Sequence, residues 1–268
     1  MAVRFSEVAP PISNEMRYEP RPQRVRVSHD GRPVADTYDA WLVWEPRRVV
    51  PRYALPASDF VADLETGDEI AVDLAELPPL VPPNVTTYTT PGTEVAVVVD
   101  GERVGGSAYR PADPDLADRI VLDHAPFSWH EEEQEVIGHP RDPFKRIDCL
   151  PTSRHVTFAL DGVTLADSTR PVLLLETHLP PRWYLPPEDV QLDLLTPSDT
   201  TSVCAYKGVA SYLSHAPSGD DGADIAWSYP EPLNDAAPVR DLVCFYAERL
   251  DVTVDGVALP RPRTQWSR

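Results

Sequence analysis

Apolar and polar residues alternate in short runs along this chain, and the runs are punctuated by Asp-Gly pairs. The clearest is RVRVSHDGRPVADTYDAWLVWE, from Arg24 to Glu45, which reads as an alternating strand, a two-residue turn at Asp30-Gly31 and a second strand. Alternation sends successive side chains to opposite faces of a pleated sheet, so it predicts strands with a buried face. Asp-Gly suits the turn because a type I′ hairpin needs positive φ at both central positions, which glycine tolerates and aspartate reaches. The pair recurs as Asp100-Gly101, Asp161-Gly162 and Asp255-Gly256. Hairpins are therefore expected to dominate. The 31 prolines break helices and central strands alike, which keeps every element short.

A second run, HVTFALDGVTLADSTRPVLLLE from His155 to Glu176, repeats the first. Asp30-Gly31 meets Asp161-Gly162 and Glu45 meets Glu176 at one constant offset. One residue is then lost, and Pro51-Arg52-Tyr53 meets Pro181-Arg182-Trp183. The chain reads as a tandem duplication. Its expected organisation is an N-terminal extension (1–23), a first, degenerate repeat (24–128), an ordered connector rich in charge and proline and without strand periodicity (129–154), and a second repeat (155–268) that holds the complete motif. The expected fold class is mainly β, with one short helix closing each sheet. Pro114 to Leu122, capped by Asp113, is the first of these helices. The second runs from Ala237 to Arg249, with Pro238 in its first turn and Val239, Leu242, Val243, Tyr246 and Leu250 at helical spacing.

Composition narrows the partners. The 268 residues suffice for two domains with cores of their own. Against 24 basic residues stand 43 acidic ones, a net charge of −19, which repels a phosphate backbone and an anionic membrane surface alike. No stretch approaches the run of about 18 apolar residues that spans a bilayer, and the opening residues lack the basic and apolar regions of a signal peptide. Three unspaced cysteines, Cys149, Cys204 and Cys244, fit thiols of a reducing compartment better than a disulfide framework. The expected setting is the cytoplasm, where the triplet Asn84-Val85-Thr86 has no role as a glycosylation site. Open sheets have edge strands able to pair between chains, so a homo-oligomer stays open.

Candidate chemistry concentrates in the second repeat. The run TPSDTTSVCAYKGVASYLS, Thr196 to Ser214, places Cys204, Tyr206 and Lys207 beside Gly208, and AWSYPEP adds Trp227 and Tyr229. Lysine usage sharpens the point: the chain writes 22 of its cations as arginine and only Lys145 and Lys207 as lysine. Arginine keeps its proton, whereas a lysine can act as base, nucleophile or compact charge. Cys204 as a nucleophile needs a neighbouring base or cation, with Lys207, His178 and His215 as candidates, or else it is a small buried hydrophobe. Glu176 ends an apolar run and either faces a cavity or makes a structural hydrogen bond shared with Glu45. His139, Asp142, Asp148 and His155 match no metal-ligand spacing, and neither a metal nor a cofactor is expected. Aligning Gly92 with Gly208 puts Tyr88 opposite Cys204 and Pro91 opposite Lys207, so the first repeat lacks both groups.

Several segments together carry a resemblance to the domain-of-unknown-function family 427. They are Ala166-Asp167-Ser168, Leu175-Glu176-Thr177, Trp183-Tyr184-Leu185-Pro186, Cys204-Ala205-Tyr206-Lys207-Gly208 and Ala226-Trp227-Ser228-Tyr229-Pro230. The chain resembles that family over nearly its whole length, as two copies, and the connector HPRDPFKRID is similar to the tandem actinobacterial form. The resemblance implies β-tent-like domains of small twisted sheets. A nucleotidyltransferase label attached to the family finds no support in these residues, since there is neither a Gly-Ser with paired aspartates nor a glycine-rich phosphate loop.

Two functions follow. One is a small-molecule pocket, with or without catalysis, lined by Tyr184, Cys204, Tyr206, Lys207, Trp227 and Tyr229 with Glu176 nearby. Lys207→Met is then expected to abolish binding at a nearly unchanged melting temperature. The other is a non-catalytic structural or protein-interaction module in which the same residues form a packed polar core. Thiol chemistry at Cys204 is a third possibility.

Overall fold

The computed structural model describes residues 13–81 and 88–267, so the triplet at Asn84 lies outside the described residues. The chain divides into two units, Met1–Asp142 and Pro143–Arg268. The first contains β1 (Arg17–Arg21), β2 (Val25–His29), β3 (Arg32–Thr37), β4 (Ala40–Trp44), β5 (Arg52–Pro56), β6 (Asp63–Ile70), β7 (Gly92–Val99), β8 (Glu102–Pro111), β9 (Arg119–Leu122), β10 (Ser128–Glu131) and β11 (Gln134–Glu135). The second contains β12 (Ile147–Pro151), β13 (Val156–Leu160), β14 (Val163–Ser168), β15 (Val172–Glu176), β16 (Arg182–Leu185), β17 (Thr196–Cys204), β18 (Gly208–Ser214), β19 (Ala226–Ser228), β20 (Val243–Phe245), β21 (Asp251–Val254) and β22 (Val257–Leu259). The protein is mainly β, as the alternation predicts.

Each unit is a seven-stranded antiparallel sheet with a four-stranded one. The first unit runs β1-β4-β5-β9-β8-β7-β6 and β11-β10-β2-β3, and the second β12-β15-β16-β20-β19-β18-β17 and β14-β13-β21-β22. Strand for strand, the order is the same. All four Asp-Gly pairs close hairpins with positive φ at both residues, 51° and 80° at Asp161-Gly162 for example, which is the I′ geometry.

In the second unit, Trp183, Leu185, Val243 and Phe245 of the large sheet pack with Val156, Phe158, Val252 and Val254 of the small one. The opposite face of the large sheet buries a second layer, Val172, Leu174, Tyr184, Ala210, Trp227, Tyr229 and Cys244, with Ala236 and Val239 against it. This outer face carries the candidate chemistry. Burial on both faces explains why Arg182–Leu185 is buried throughout instead of alternating.

Three expectations need correction. The two predicted helices do not form. Asn234–Val239 is a 3₁₀ segment, Asp241 turns left-handed at φ 60°, and the chain continues as β20 between β16 and β19. Pro238 and the left-handed aspartate break helical hydrogen bonding, and a β-branched and aromatic Val-Cys-Phe run packs on both sheet faces. Likewise Pro114–Leu116 is one 3₁₀ turn followed by β9. The expected connector 129–154 contains strands: its start lies in β10 and β11 beside β2, and its end is β12, the edge strand paired to β15. The expected N-terminal extension supplies β1, paired to β4.

Candidate functional site

Glu176 is the last residue of β15 and shares the outer face with Val172 and Leu174, since residues two apart in a strand point the same way. Lys207 stands in the tight connection 205–207 between β17 and β18, where Gly208 holds φ 105°. A Cβ at Gly208 would lie 3.0 Å from the carbonyl oxygen of Glu231, and the Leu233 amide donates to the Lys207 carbonyl at 3.0 Å. This turn is therefore fixed against the segment after β19, and it aims Lys207 inward.

The Lys207 ammonium donates to Glu176 Oε2, with Cys204 as a second close neighbour. Both partners of the ion pair are buried, their side chains 10% and 6% exposed. Burial alone works against the charge on Lys207, but Cys204 and Glu176 outweigh it and hold the amine above its ordinary value. At neutral pH Lys207 is a fixed cation and not a base. Cys204 is half-buried. Lys145 approaches from the loop before β12, its ammonium 5.9 Å from the centre of the Tyr206 ring. In a chain that otherwise uses arginine, one lysine thus reaches the residue next to the other.

The aromatic residues expected to line a pocket are packed behind this corner. Tyr184 is wholly buried, while Tyr206, Trp227 and Tyr229 are 5–7% exposed. Trp227 Nε1 donates to the Tyr184 hydroxyl at 3.1 Å, with the two rings perpendicular. Burial pushes the hydroxyls of Tyr184 and Tyr229 well above the usual tyrosine range. The same cause lifts the Cys244 thiol to about 12, so that cysteine is inert core.

Some candidate partners are not brought to the site. His215 lies just past the far end of β18 from Gly208 and bonds Ser218 Oγ at 2.9 Å, which removes it as a base for Cys204. His155 pairs with Asp167 and Asp148 with Arg146. Among the described residues no cluster of three His, Cys, Asp or Glu has the arrangement of a metal site.

Sequence reasoning missed a second charged group on the same face. Arg182 makes two hydrogen bonds to Glu248, at 2.7 and 2.8 Å. Burial opposes the arginine's charge, but these bonds outweigh it. The guanidinium lies 5.5, 5.7 and 5.4 Å from the ring centres of Trp227, Tyr246 and Trp266. The repeat flagged Arg182, but no periodicity ties it to a glutamate 66 residues later.

The first unit answers the same problem differently. Glu45 is buried and faces Arg52 Nη1 at 2.9 Å and Arg48 Nε at 3.4 Å. Arg52 also reaches Asp123 at 3.0 Å, and the Thr89 amide donates to Glu45 at 3.1 Å. Strand register corrects the earlier alignment. Across the sheet Glu94, Tyr109, Val121, Ala54 and Trp41 are neighbours in turn, as Tyr212, Trp227, Cys244, Tyr184 and Val172 are in the second unit. Gly92 then corresponds to Ala210, not to Gly208. Counting back along the chain sets Thr89 in the place of Lys207 and Tyr88 in that of Tyr206. The glycine match misled because the preceding connection is far longer in the first unit.

Residues 148–256 match the family described as Domain of unknown function (DUF427). The matched span lies within the second unit. Every candidate residue from Glu176 to Tyr229 falls within the matched span, whereas Lys145 and Trp266 flank it. No curated protein matches the chain. No helix among the described residues is long and apolar enough to cross a membrane.

Proposed function

We propose that the DUF427 domain binds a small molecule at the corner formed by Glu176, Cys204, Tyr206 and Lys207, with Lys145 at its rim. The observation that carries this is the convergence of the two lysines. A strand-end glutamate is held by arginines in the first unit and by a lysine beside a thiol in the second. A buried ion pair is a poor source of stability, since well-packed apolar residues usually do as well. Holding the glutamate with one lysine instead of two arginines gives up hydrogen bonds and gains a compact charge that can address a ligand or a thiolate. In this reading Lys207 supplies fixed positive charge, Glu176 orients it, and the half-buried Cys204 is the group that meets the ligand. Tyr184, Trp227 and Tyr229 form the rigid layer behind them.

The packing of those aromatics favours a second reading, a non-catalytic structural or protein-interaction module in which the corner is a polar core. Native mass spectrometry after incubation with cell extract separates the two, using the unaltered protein, Lys207→Arg and Cys204→Ala. A bound mass that disappears in either variant supports the ligand site. Bare protein in every sample sinks it.

We also infer that the first unit is a diverged second copy of the domain. The shared strand order and the paired glutamates support this, as does the matching Arg52 and Arg182. Cytoplasmic residence, read from three free thiols, and an actinobacterial type, read from the connector, belong to the same proposal.

A further inference from the structure

Past β22 the chain forms a strap without regular structure that returns to the outer face of the large sheet. Its Trp266 ring is half-buried and stands 6.2 Å from the Tyr246 ring and 5.4 Å from the Arg182 guanidinium. Thr264 Oγ1 donates to Glu248 Oε1 at 2.8 Å, on the carboxylate that clamps Arg182. An exposed ion pair, Arg261 with Asp251 at 2.9 Å, also anchors the strap. The strap lies beyond the residues that match the family.

Without the strap, the domain presents a guanidinium face flanked by Trp227 and Tyr246, whose rings are 4.5 Å apart. Beside it stands a carboxylate oxygen able to accept one more hydrogen bond. A flat π system stacks on arginine and on aromatic rings, and an N–H donor replaces the threonine hydroxyl. We infer that Trp266 and Thr264 occupy, as an internal stand-in, a subsite for a planar heteroaromatic ligand carrying an N–H donor. The Glu248 carboxylate and the chain's net charge of −19 disfavour an anionic group there. The inference deepens the proposal above, because it rests on this sheet face being the ligand face and names the class of compound. The strap then competes with the ligand, and apparent affinity falls by the fraction of molecules with the strap closed.

The test is calorimetric titration of the full chain with indole. Trp266→Ala is expected to bind indole about ten-fold more tightly than the unaltered protein, as for a strap open one-tenth of the time. Benzothiophene, the same shape without the N–H, is expected to bind the variant about ten-fold more weakly than indole does, because it offers no donor for the second hydrogen bond that Glu248 Oε1 accepts beside that from Arg182. Thr264→Val leaves the ring in place and loosens the strap, so it decides the matter if Trp266→Ala fails to fold. Equal indole affinity in variant and unaltered protein, or no binding by either variant, overturns the inference. Adding Lys207→Arg to Trp266→Ala separates the two proposals. Indole binding that survives this change, alongside extract binding indifferent to Lys207 and Cys204, keeps the ring subsite and removes the lysine corner. The reverse pattern keeps the corner and removes the subsite.

Discussion

Lys207→Met is the most informative single perturbation, and burial reverses its expected effect on stability. The pair with Glu176 has side chains only 10% and 6% exposed, so deleting the ammonium leaves a carboxylate in a dry site with no counter-charge. Breaking a buried pair from one side destabilises by about 3–5 kcal/mol. For a unit of this size about 3–4 °C is lost per kcal/mol, so the melting temperature should fall by roughly 10–20 °C. Replacing both partners, as Lys207→Met with Glu176→Leu, removes the orphan charge and should bring stability back to within about 1 kcal/mol of the starting protein. Scanning calorimetry of the four proteins closes a double-mutant cycle with a coupling energy of several kcal/mol. A loss below about 1 kcal/mol for Lys207→Met alone, or a double variant as poor as the sum of its parts, would refute the burial argument. It follows that loss of binding in Lys207→Met says nothing about ligand contact, and Lys207→Arg is the variant to use for that.

Iodoacetamide should alkylate Cys204 first, Cys149 more slowly and Cys244 only on unfolding, because burial raises the latter two thiols, Cys244 to about 12. Peptide mapping showing Cys244 labelled as fast as Cys204 contradicts the packing described. Glu248 is held below its ordinary value of 4.5 by Arg182 and Thr264 despite the opposing effect of burial. Its contribution to stability is thus complete above pH 4.5 and lost as pH falls through the lowered value, a dependence that Glu248→Gln should flatten in acid melts. Lys207 works in the other direction: raised above 10.5, it stabilises fully below that pH and fails as pH climbs through its folded value. Alkaline melts of Lys207→Arg should lack that loss. Gly208→Ala must place a Cβ 3.0 Å from the Glu231 carbonyl at φ 105°, and a loss of about 1–3 kcal/mol is expected in urea titrations. A silent substitution would mean that the turn is not pinned there.

Local geometry was the part of the fold most legible in the sequence. Asp-Gly names its own turn, and each of the four pairs adopts the dihedrals it demands. The apolar alternation marks the strands, and residue chemistry singles out Glu176 and Lys207, which the fold pairs. What failed depended on long-range packing. The spacing of Val239, Leu242, Val243 and Tyr246 suits a helix, but a strand buried on both faces shows apolar residues at every position, and period alone does not separate the two. Arg182 and Glu248 meet only because β16 and β20 are neighbours in the sheet. Glycine at 92 and 208 misled the alignment, since identity at one residue cannot reveal how long a loop precedes it. Composition reads the aromatics as pocket walls, whereas sheet packing makes them a buried layer.

The edge hairpin of the large sheet closes through residues 205–207 in the second unit, while the equivalent strands of the first are joined by residues 71–91. Loop closure entropy rises only with the logarithm of length, so this extension costs on the order of 2 kcal/mol. The sheet order on either side is kept, and each hairpin carries one register shift at the matching place. That hairpin is accordingly the place where the architecture tolerates novelty, and foreign segments inserted between Cys204 and Ala205, with Tyr206 and Lys207 kept, should yield folded proteins with altered chemistry at the corner.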